Sequence, residues 1–263
     1  MKRKRIECGA QPFPEGIRSL IGDADVYDSS SSKEARVFFI DRDEGCYLKR
    51  AAAGTLAREA RMTEVFHALG LTAETLGYLS DGGYDYLLTR RVLGEDCTHP
   101  DYLADPERLA DLLGERLRAL HGLAVSGSPG NDRNANFIRS VRAGLEAGRY
   151  DPKHFGGLWD YSSEEEAREE ALLGIGSLRA DVLVHGDYCL PNVLLDGWRF
   201  SGFVDLGLAG MGDRHVDLIW GVWSLRSNLG TDRFTERFLD AYGRDAIEPE
   251  MLRRTAAMDT VSV

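Results

Sequence analysis

The chain has 263 residues, of which 43% are hydrophobic, so it can form one large domain or two lobes that share a cleft. Its net charge is −11, with 43 acidic residues against 32 basic ones; such a surface repels nucleic acid and anionic membranes but suits a cationic ligand. The four cysteines are widely spaced and form no C-x-x-C pair, which argues against a structural zinc site or a disulfide framework and favours a reducing compartment.

The sequence shows no pattern of a secretory signal or a membrane-spanning helix. Its start, MKRKRIECGAQPFPEG, is basic, but proline, glycine and glutamate follow in place of the apolar stretch of a signal peptide. No run approaches the roughly 20 apolar residues that a spanning helix needs. We therefore expect a cytoplasmic protein that binds neither a membrane nor nucleic acid.

The first hundred residues are dominated by strand patterns. Runs of β-branched and aromatic residues, separated by polar turns that contain glycine, predict two hairpins. Apolar residues at helical spacing, followed by Gly70, predict a helix between them. The predicted elements are strands at Ala35–Ile40, Cys46–Arg50 and Tyr84–Arg90, a helix at Thr55–Leu69 and a turn at Ser80–Gly83.

Helical spacing dominates the rest of the chain. A stripe of leucines predicts a helix at Pro106–Leu123, and three short strands interrupt the helical pattern further on. Helices are also predicted at Asn136–Ala147, at Ser162–Leu173 and from Asp217 onward, and strands at Asp181–Val184, Asn192–Asp196 and Phe200–Leu206. The sequence therefore predicts an α+β fold with two lobes, a β-rich N-terminal lobe (1–92) and a mainly helical C-terminal lobe (93–263).

Two neighbouring segments, VHGDYCLPNV at Val184–Val193 and GFVDLG at Gly202–Gly207, carry the strongest chemical signal. Phosphoryl transfer needs positioned reactants and neutralised charge more than covalent chemistry. Asp187, just beyond a predicted strand, can orient an attacking hydroxyl, while the oxygens of Asn192 and Asp205 suit Mg²⁺. The spacing from Asp187 to Asn192 is that of a kinase catalytic loop, and Asp205 stands where kinases have D-F-G. Taken singly, Asp187, Asn192 and Asp205 are each explained as residues common in turns. Their order and spacing together predict a phosphotransferase.

At this point the sequence resembles a known family. HGDYCLPN followed by FSGFVDLGLAGMGDRHVDL is similar to the aminoglycoside phosphotransferases, and most similar to their 3′-phosphotransferase branch. The similarity runs through most of the chain and is strongest from about Asp181 to Tyr242. It implies a protein-kinase-like fold of two lobes, ATP and Mg²⁺ as cofactors, and a hydroxyl of a cationic aminoglycoside as acceptor.

The resemblance also implies roles for residues of the nucleotide site. Lys49 would contact the α- and β-phosphates of ATP, and Glu59 on the following helix would pair with Lys49. Asp217 is similar to an aspartate that braces the catalytic loop in this family, so its expected role is structural.

Further nucleotide contacts are implied around these two residues. Tyr47 lies on the same strand face as Lys49, where it would either stack on adenine or pack as an ordinary tyrosine. Ser32 belongs to a short serine loop that would cover the phosphates or be merely flexible. Thr89 and Arg91 bound the segment that would offer backbone groups to adenine.

The acceptor side departs from the family pattern. The stretch before the catalytic segment, Asp151–Leu158, is poor in acids, which leaves the nearby Asp160 and Glu164–Glu166 as candidate contacts for the substrate. The C-terminal tail retains only Asp259 as an aligned acid. Leu208 and Trp223 stand where the best-known relatives have arginines. The resemblance therefore implies an intact kinase machinery with an altered acceptor pocket.

Several functions remain open from the sequence. The first is phosphorylation of an aminoglycoside hydroxyl, favoured by the acidic charge and the catalytic segment. The alternative is the same chemistry on a sugar, an amino alcohol or a macrolide-type antibiotic, favoured by the missing acids. A nucleotide-binding module without catalysis would lack a catalytic Asp, Asn or Lys, and none is missing. A protein kinase needs an activation loop, but only eleven residues separate Asp205 from Asp217. We expect a monomer or a weak dimer.

Overall fold

The structure is a computed structural model that describes residues 4–6, 13–30, 35–127, 129–151, 159 and 161–262. The chain divides into two compact units. The first comprises Met1–Gly94 together with Ser201–Gly207, and the second comprises Glu95–Phe200 together with Leu208–Val263. The division expected from the sequence, into lobes 1–92 and 93–263, stays a prediction.

An antiparallel sheet forms the first unit. Its elements are β1 (Lys4–Ile6), α1 (Glu15–Ile21), β2 (Asp25–Asp28), β3 (Arg36–Asp41), β4 (Cys46–Ala52), α2 (Ala57–Ala68), β5 (Thr75–Asp81) and β6 (Tyr84–Arg90). The six strands lie in the order β1-β2-β3-β4-β6-β5. Both predicted hairpins are confirmed. In the second, Asp81 pairs with Tyr84 around Gly82 and Gly83, whose φ angles of 61° and 85° are those that a two-residue hairpin turn needs.

The alternation of side chains along β4 decides which residues face which helix. Leu48 points to one face of the sheet, where it joins a buried cluster with Ile17 of α1. Lys49 and Ala51 therefore point to the opposite face, where Ala51 packs with Ala60 of α2. The pleat of the sheet thus turns Lys49 toward α2.

Helices build most of the second unit. Its elements are β7 (Glu95–Asp96), α3 (Pro100–Leu103), α4 (Pro106–His121), α5 (Arg133–Glu146), α6 (Glu164–Ser177), β8 (Val182–Val184), β9 (Val193–Asp196), β10 (Arg199–Phe203), β11 (Gly210–Gly212), α7 (Arg214–Leu229), α8 (Thr235–Tyr242) and α9 (Pro249–Ser262). Strand β8 pairs with β11 and β7 with β9, both antiparallel. The last three residues of β10 belong to the first unit. Among the described residues, no helix is long and apolar enough to cross a membrane.

One predicted strand is too long. The pattern at Phe200–Leu206 predicts a strand to Leu206, but β10 ends at Phe203 and a short 3₁₀ turn begins at Leu206. The cause is Asp205, whose φ of 60° lies in the left-handed region and cannot continue a strand.

Helix α4 shows how the sequence sets both the start and the packing of a helix. The Asp105 side chain caps it by accepting the Arg108 N–H at 3.3 Å, and Pro106 occupies the first position. The predicted stripe is buried at Leu109, Leu113, Leu117 and Leu120. At Gly114 an added Cβ would lie 2.5 Å from the Phe238 carbonyl oxygen of α8, so only glycine allows these two helices to approach so closely.

Candidate active site

Lys49 of the first unit holds two carboxylates, and we call Lys49, Glu59 and Asp205 the lysine trio. Its Nζ donates to Glu59 Oε1 at 3.0 Å and to Glu59 Oε2 at 2.8 Å, and it also donates to Asp205 Oδ1. The side chains of Lys49 and Glu59 are 22% and 11% exposed, whereas that of Asp205 is 54% exposed. The flexible stem of the lysine is therefore fixed, while one carboxylate of the trio faces solvent.

Burial and neighbouring charges act in opposite directions on the lysine trio. Burial lowers the pKa of Lys49, but the attraction of Glu59 and then Asp205 outweighs it, so the pKa lies above its ordinary value and the amine stays charged. Burial raises the pKa of Glu59, and the Lys49 charge only partly opposes this effect. The arrangement keeps one cation in the middle of β4, where it can attract an anionic group.

The segment that carries Asp205 is anchored to the first unit by backbone contacts. The Phe203 N–H donates to the Leu71 carbonyl at 2.8 Å, and the Thr72 hydroxyl donates to the Phe203 carbonyl at 2.6 Å. Two residues later Asp205 adopts its φ of 60°, an uncommon and strained conformation for a residue other than glycine. Such strain is retained where the surrounding structure fixes the backbone, as it does at Phe203.

In the second unit, the loop after β8 orients Asp187 and Asn192 toward each other. The Asn192 side-chain nitrogen donates to Asp187 Oδ2 at 2.9 Å and to the Asp187 carbonyl at 3.0 Å. The Leu190 N–H donates to the Ser224 hydroxyl at 2.9 Å, which ties the turn between them to α7. Because both Asn192 bonds use the amide nitrogen, its amide oxygen is the atom that remains suited to a hard cation.

A buried aspartate holds the backbone in front of Asp187. Asp217 is fully buried and accepts the His185 N–H and the Gly186 N–H, each at 2.7 Å, and His121 Nε2 at 3.1 Å. We call Asp217 and these three donors the aspartate hub. Burial raises the pKa of Asp217, but the His121 hydrogen bond and the other donors outweigh it, so the pKa lies below its ordinary value. The hub is the bracing that the family resemblance implies for Asp217.

Gly186 is required by the geometry of this loop. Its φ is 88°, and an added Cβ would lie 2.1 Å from the Leu208 carbonyl oxygen. His185 is fully buried, and its Nδ1 accepts the Asp187 N–H at 3.3 Å, which suits a residue that organises the loop. The H-G-D sequence is thus explained residue by residue: His185 has a buried ring, Gly186 allows a close approach of the Leu208 backbone, and Asp187 stays partly accessible.

The acceptor candidate Asp259 lies on α9 and is only 7% exposed. Its Oδ2 is buried without a hydrogen-bond partner. Burial raises the pKa of Asp259 to about 7; the charge of Arg133 opposes this effect and that of Asp187 adds to it. An ordinary buried carboxyl would have both oxygens paired, so this group is poised to gain a partner.

The remaining predicted nucleotide residues lie around β4. The Tyr47 ring packs edge-on against Phe39 with 5.4 Å between centroids, the packing role that the sequence left open. Thr89 stands opposite Tyr47 in the β4–β6 register, and the Arg91 N–H donates to the Gly45 carbonyl at 2.9 Å. Their contacts with a nucleotide stay predictions. Two further candidates, Ser32 and Asp160, lie outside the described residues.

The two arginine replacements have different surroundings. Leu208 is 57% exposed, and its backbone lies against Gly186, one residue before Asp187. Trp223 is half-buried and contacts Trp220 edge-on, with 5.4 Å between ring centroids. An exposed apolar side chain therefore lies beside the loop that carries Asp187.

Sequence reasoning missed two participants of these sites and one contact. Asp205 was predicted as a metal ligand, but its contact with Lys49 was not predicted. His121, which contacts Asp217, and Tyr242, which contacts His121, were missed. A signal for His121 was present, because it lies four residues after Leu117 on the buried stripe of α4, where a polar residue needs a partner.

The donor chemistry fits the predicted metal. Asn192 and Asp205 offer an amide and a carboxylate oxygen, the hard ligands that Mg²⁺ takes alongside water and phosphate. Among the residues that the structure describes, no group of three or more His, Cys, Asp or Glu side chains could hold a metal ion. Asn192 and Asp205 are fewer ligands than such a cluster has, so their role in holding Mg²⁺ stays a prediction.

Comparison with known proteins gives this geometry a context. The model of the phosphotransferase enzyme family matches residues 29–256. A probable aminoglycoside 3′-phosphotransferase of Lactococcus lactis is 43% identical over 252 residues, or 95% of each chain. An aminoglycoside 3′-phosphotransferase of Niallia circulans is 34% identical over 183 residues, or 68% of each chain.

Solved structures of similar fold agree. The aminoglycoside 3′-phosphotransferase of type VIII superposes with a TM-score of 0.72 at 22% identity, covering 94% of this chain and 96% of its own. An aminoglycoside phosphotransferase of Streptomyces rimosus, solved in complex with ADP and streptomycin, gives the same TM-score, identity and coverage. The predicted fold class is confirmed. With the family model spanning most of its length and a relative sharing 43% of its residues, the chain belongs to the phosphotransferase enzyme family.

Proposed function

We propose that the chain is an ATP- and Mg²⁺-dependent phosphotransferase that phosphorylates a hydroxyl group of an aminoglycoside. The observation that carries the proposal is the catalytic loop: Asn192 orients Asp187, and Asp217 holds the two backbone amides in front of it. A carboxylate fixed in this way suits the orientation and deprotonation of an alcohol. The 43% identity to a probable aminoglycoside 3′-phosphotransferase supports the acceptor class.

Each of the remaining parts has a place in this chemistry. Lys49 would bind the phosphates, with Glu59 holding its amine in position. Asn192 and Asp205 would hold Mg²⁺, which supplies neutralisation of the phosphate charge when it is bound. Asp187 would accept a hydrogen bond from the acceptor hydroxyl and take its proton. Tyr47, Ser32, Thr89 and Arg91 are the proposed contacts of the nucleotide base and phosphate ends.

Asp259 is the proposed contact for an ammonium group of the acceptor. Its buried Oδ2 has no partner, and its pKa of about 7 means that a cation beside it would stabilise the charged form. The net charge of −11 favours a cationic acceptor over long range. Asp160 is the second proposed contact. We place the enzyme in the cytoplasm, as a monomer or weak dimer, where ATP is available and its cysteines stay reduced.

A second acceptor class is favoured by one observation. Leu208 is an exposed apolar side chain beside Gly186. An acceptor with an apolar ring near its reactive hydroxyl would bury Leu208 and gain hydrophobic free energy. A sugar, an amino alcohol or a macrolide-type antibiotic is therefore the alternative acceptor for the same reaction.

The test is ATP consumption with Mg²⁺ across kanamycin-like aminoglycosides, amino alcohols, sugars and macrolides. We expect aminoglycosides to stimulate ATP consumption, and Asp187→Asn to lower kcat by about 100- to 10,000-fold, the range for a general base. Asp196→Asn is the matched control, because Asp196 is the exposed last residue of β9, directly before the turn at Gly197 and Trp198.

The outcomes separate the two acceptor classes. Stimulation only by another acceptor class replaces the aminoglycoside with the alternative. Wild-type activity in Asp187→Asn removes the proposed role of Asp187, whichever acceptor is used.

A further inference from the structure

Behind the aspartate hub, a chain of buried hydrogen bonds continues away from the catalytic loop. His121 Nε2 contacts Asp217 Oδ2 at 3.1 Å, and His121 Nδ1 contacts the Tyr242 hydroxyl at 2.8 Å. The side chains of His121 and Asp217 are 1% and 0% exposed, and Tyr242 is 1% exposed. Both imidazole nitrogens therefore have a protein partner, and the ring is shielded from water.

The direction of each hydrogen bond follows from the charge of Asp217. The pKa of Asp217 lies below its ordinary value, so its carboxylate has no proton to donate. His121 must then donate through Nε2–H, which in a neutral imidazole leaves Nδ1 as an acceptor. Burial raises the pKa of Tyr242 to about 12, against the opposing charge of Arg214, so its hydroxyl keeps the proton that Nδ1 accepts.

Three helices supply the members of this chain. His121 ends α4, Asp217 lies in the first turn of α7, and Tyr242 ends α8. The close approach of α4 and α8 at Gly114 fixes the separation of the two helices a few residues before His121 and Tyr242. Because each of the three residues lies on a packed helix, a shift of one residue would disturb its hydrogen bond to the next.

The other end of the chain reaches the catalytic loop. The carboxylate that His121 contacts also holds the N–H groups of His185 and Gly186, which immediately precede Asp187. Oδ2 is shared between His121 and the His185 N–H, so a rotation of the carboxylate would weaken its bonds to the loop. The orientation of Asp187 therefore depends on the donor behind Asp217.

We propose that His121 and Tyr242 are positioning residues for phosphoryl transfer: the tyrosine hydroxyl holds the His121 ring through Nδ1, and His121 fixes the Asp217 carboxylate that holds the Asp187 loop. This inference rests on the proposed role of Asp187. It assigns to residues of α4 and α8, which touch no reacting atom, a contribution to turnover beyond folding.

Enzyme kinetics with ATP, Mg²⁺ and kanamycin separate positioning from a merely structural role, with ATP hydrolysis by water measured in parallel. His121→Leu, which fills the space but removes both hydrogen bonds, should lower kcat about 10- to 100-fold, as misplacement of a catalytic group does, and leave both KM values unchanged. His121→Gln, whose amide can still donate to Asp217, should recover most of that loss. Tyr242→Phe should lower kcat about fivefold, the equivalent of one hydrogen bond.

The control is Tyr102→Phe. Tyr102 is also buried in the second unit, and its hydroxyl donates to the Leu195 carbonyl at 2.9 Å, with no connection to Asp217. It should lose comparable stability and retain kcat. An equal loss of kcat in the Tyr102 and Tyr242 variants, or an unchanged kcat in folded His121→Leu, overturns the proposal. If Asp187→Asn is itself active, the proposed function fails instead.

A spectroscopic readout does not depend on turnover or on the stability of His121→Leu. In wild-type protein labelled with ¹⁵N-histidine, long-range ¹H–¹⁵N spectra at neutral pH should show His121 as the Nε2–H tautomer, with its signals assigned by their loss in His121→Gln. In Tyr242→Phe the Nδ1 resonance should shift, because its hydrogen-bond donor is gone. An Nδ1–H tautomer in the wild type contradicts the proposal.

Discussion

The lysine trio of the first unit and the aspartate hub of the second unit both fix a charged group, but they do so with different partners. The trio joins three charged side chains, and its Asp205 is half exposed. The hub joins one fully buried carboxylate to two backbone amides and a buried imidazole. Side-chain ion pairs near solvent can exchange partners at low cost, whereas a buried carboxylate cannot lose its donors without a large penalty. The trio therefore suits ligand binding and the hub suits a fixed geometry.

The largest effect is expected from Asp217→Asn. Asparagine keeps the volume but sets an NH₂ group against the hub's donors, which should lower the free energy of unfolding by about 3–5 kcal/mol. It should also lower kcat of the folded fraction. Asp213→Asn is the matched control, because Asp213 is a buried carboxylate at the start of the same helix that contacts His215 and the Arg179 N–H.

Chemical denaturation and kcat, measured for both variants, distinguish an effect of the aspartate hub from a general loss of stability at the start of α7. The Asp213 variant should lose stability and keep its kcat; equal kcat losses would contradict a special role for the hub. The pKa of Asp217 is depressed in the folded state, so its contribution is complete above the unfolded-state pKa and is lost as pH falls through the folded value. The stability difference between wild type and Asp217→Asn should therefore shrink in acid.

A smaller loss is expected from Gly186→Ala. The φ of 88° costs an alanine about 1–2 kcal/mol, and the contact of its Cβ with the Leu208 carbonyl adds to that cost and displaces the loop. Gly54→Ala is the control, since Gly54 has a φ of 86° but nothing within 4 Å of an added Cβ. Thermal unfolding should show a larger loss for Gly186→Ala, and only this variant should lower kcat. Equal behaviour of the two variants would mean that the loop has room to adjust.

Changes in the lysine trio should affect activity more than folding. Lys49→Met should lower kcat/KM for ATP by about 100-fold and Glu59→Gln by about tenfold, the range of hydrogen bonds to charged groups. The free energy of unfolding should fall less than in Asp217→Asn, because the Lys49 side chain is 22% exposed and solvent reaches the pair that either change breaks. A loss of stability as large as that of Asp217→Asn would remove the contrast between trio and hub.

Asp259 gives the most gradual effect, spread over several pH units, because it is buried without the hub's donors. Its folded pKa is raised to about 7, so the protonated form is favoured by folding; that stabilisation is complete below the unfolded-state pKa and is lost as pH rises through about 7. The slope between these limits is about 1.4 kcal/mol per pH unit. Urea unfolding of wild type and Asp259→Asn between pH values of about 5 and 8 should show this slope in the wild type only. Parallel curves would mean that Asp259 is ionised in the folded protein.

Local sequence patterns predicted much of the fold. Both hairpins of the first unit and the leucine stripe of α4 were predicted, because turn residues and helical spacing act over a few positions. The strand predicted to reach Leu206 ends at Phe203, because the backbone of Asp205 has a φ of 60°, which the residue type does not predict. Leu69, the last residue of the predicted helix, lies just after the end of α2 at Ala68 and is 36% exposed.

The sequence by itself determined the chemistry of the catalytic segment. Asp187 and Asn192 are five residues apart, so one turn suffices to join them. Glycine at position 186 is required by a contact with the Leu208 backbone, which only the tertiary structure shows. The join of Asp205 to Lys49 spans 156 positions, that of His121 to Tyr242 spans 121, and that of His121 to Asp217 spans 96. Only the packing of strands and helices decides such contacts, because spacing along the chain constrains no pair so far apart. The sequence and its family resemblance therefore predicted Asp187, Asn192 and the bracing role of Asp217, but not His121 and Tyr242 behind Asp217.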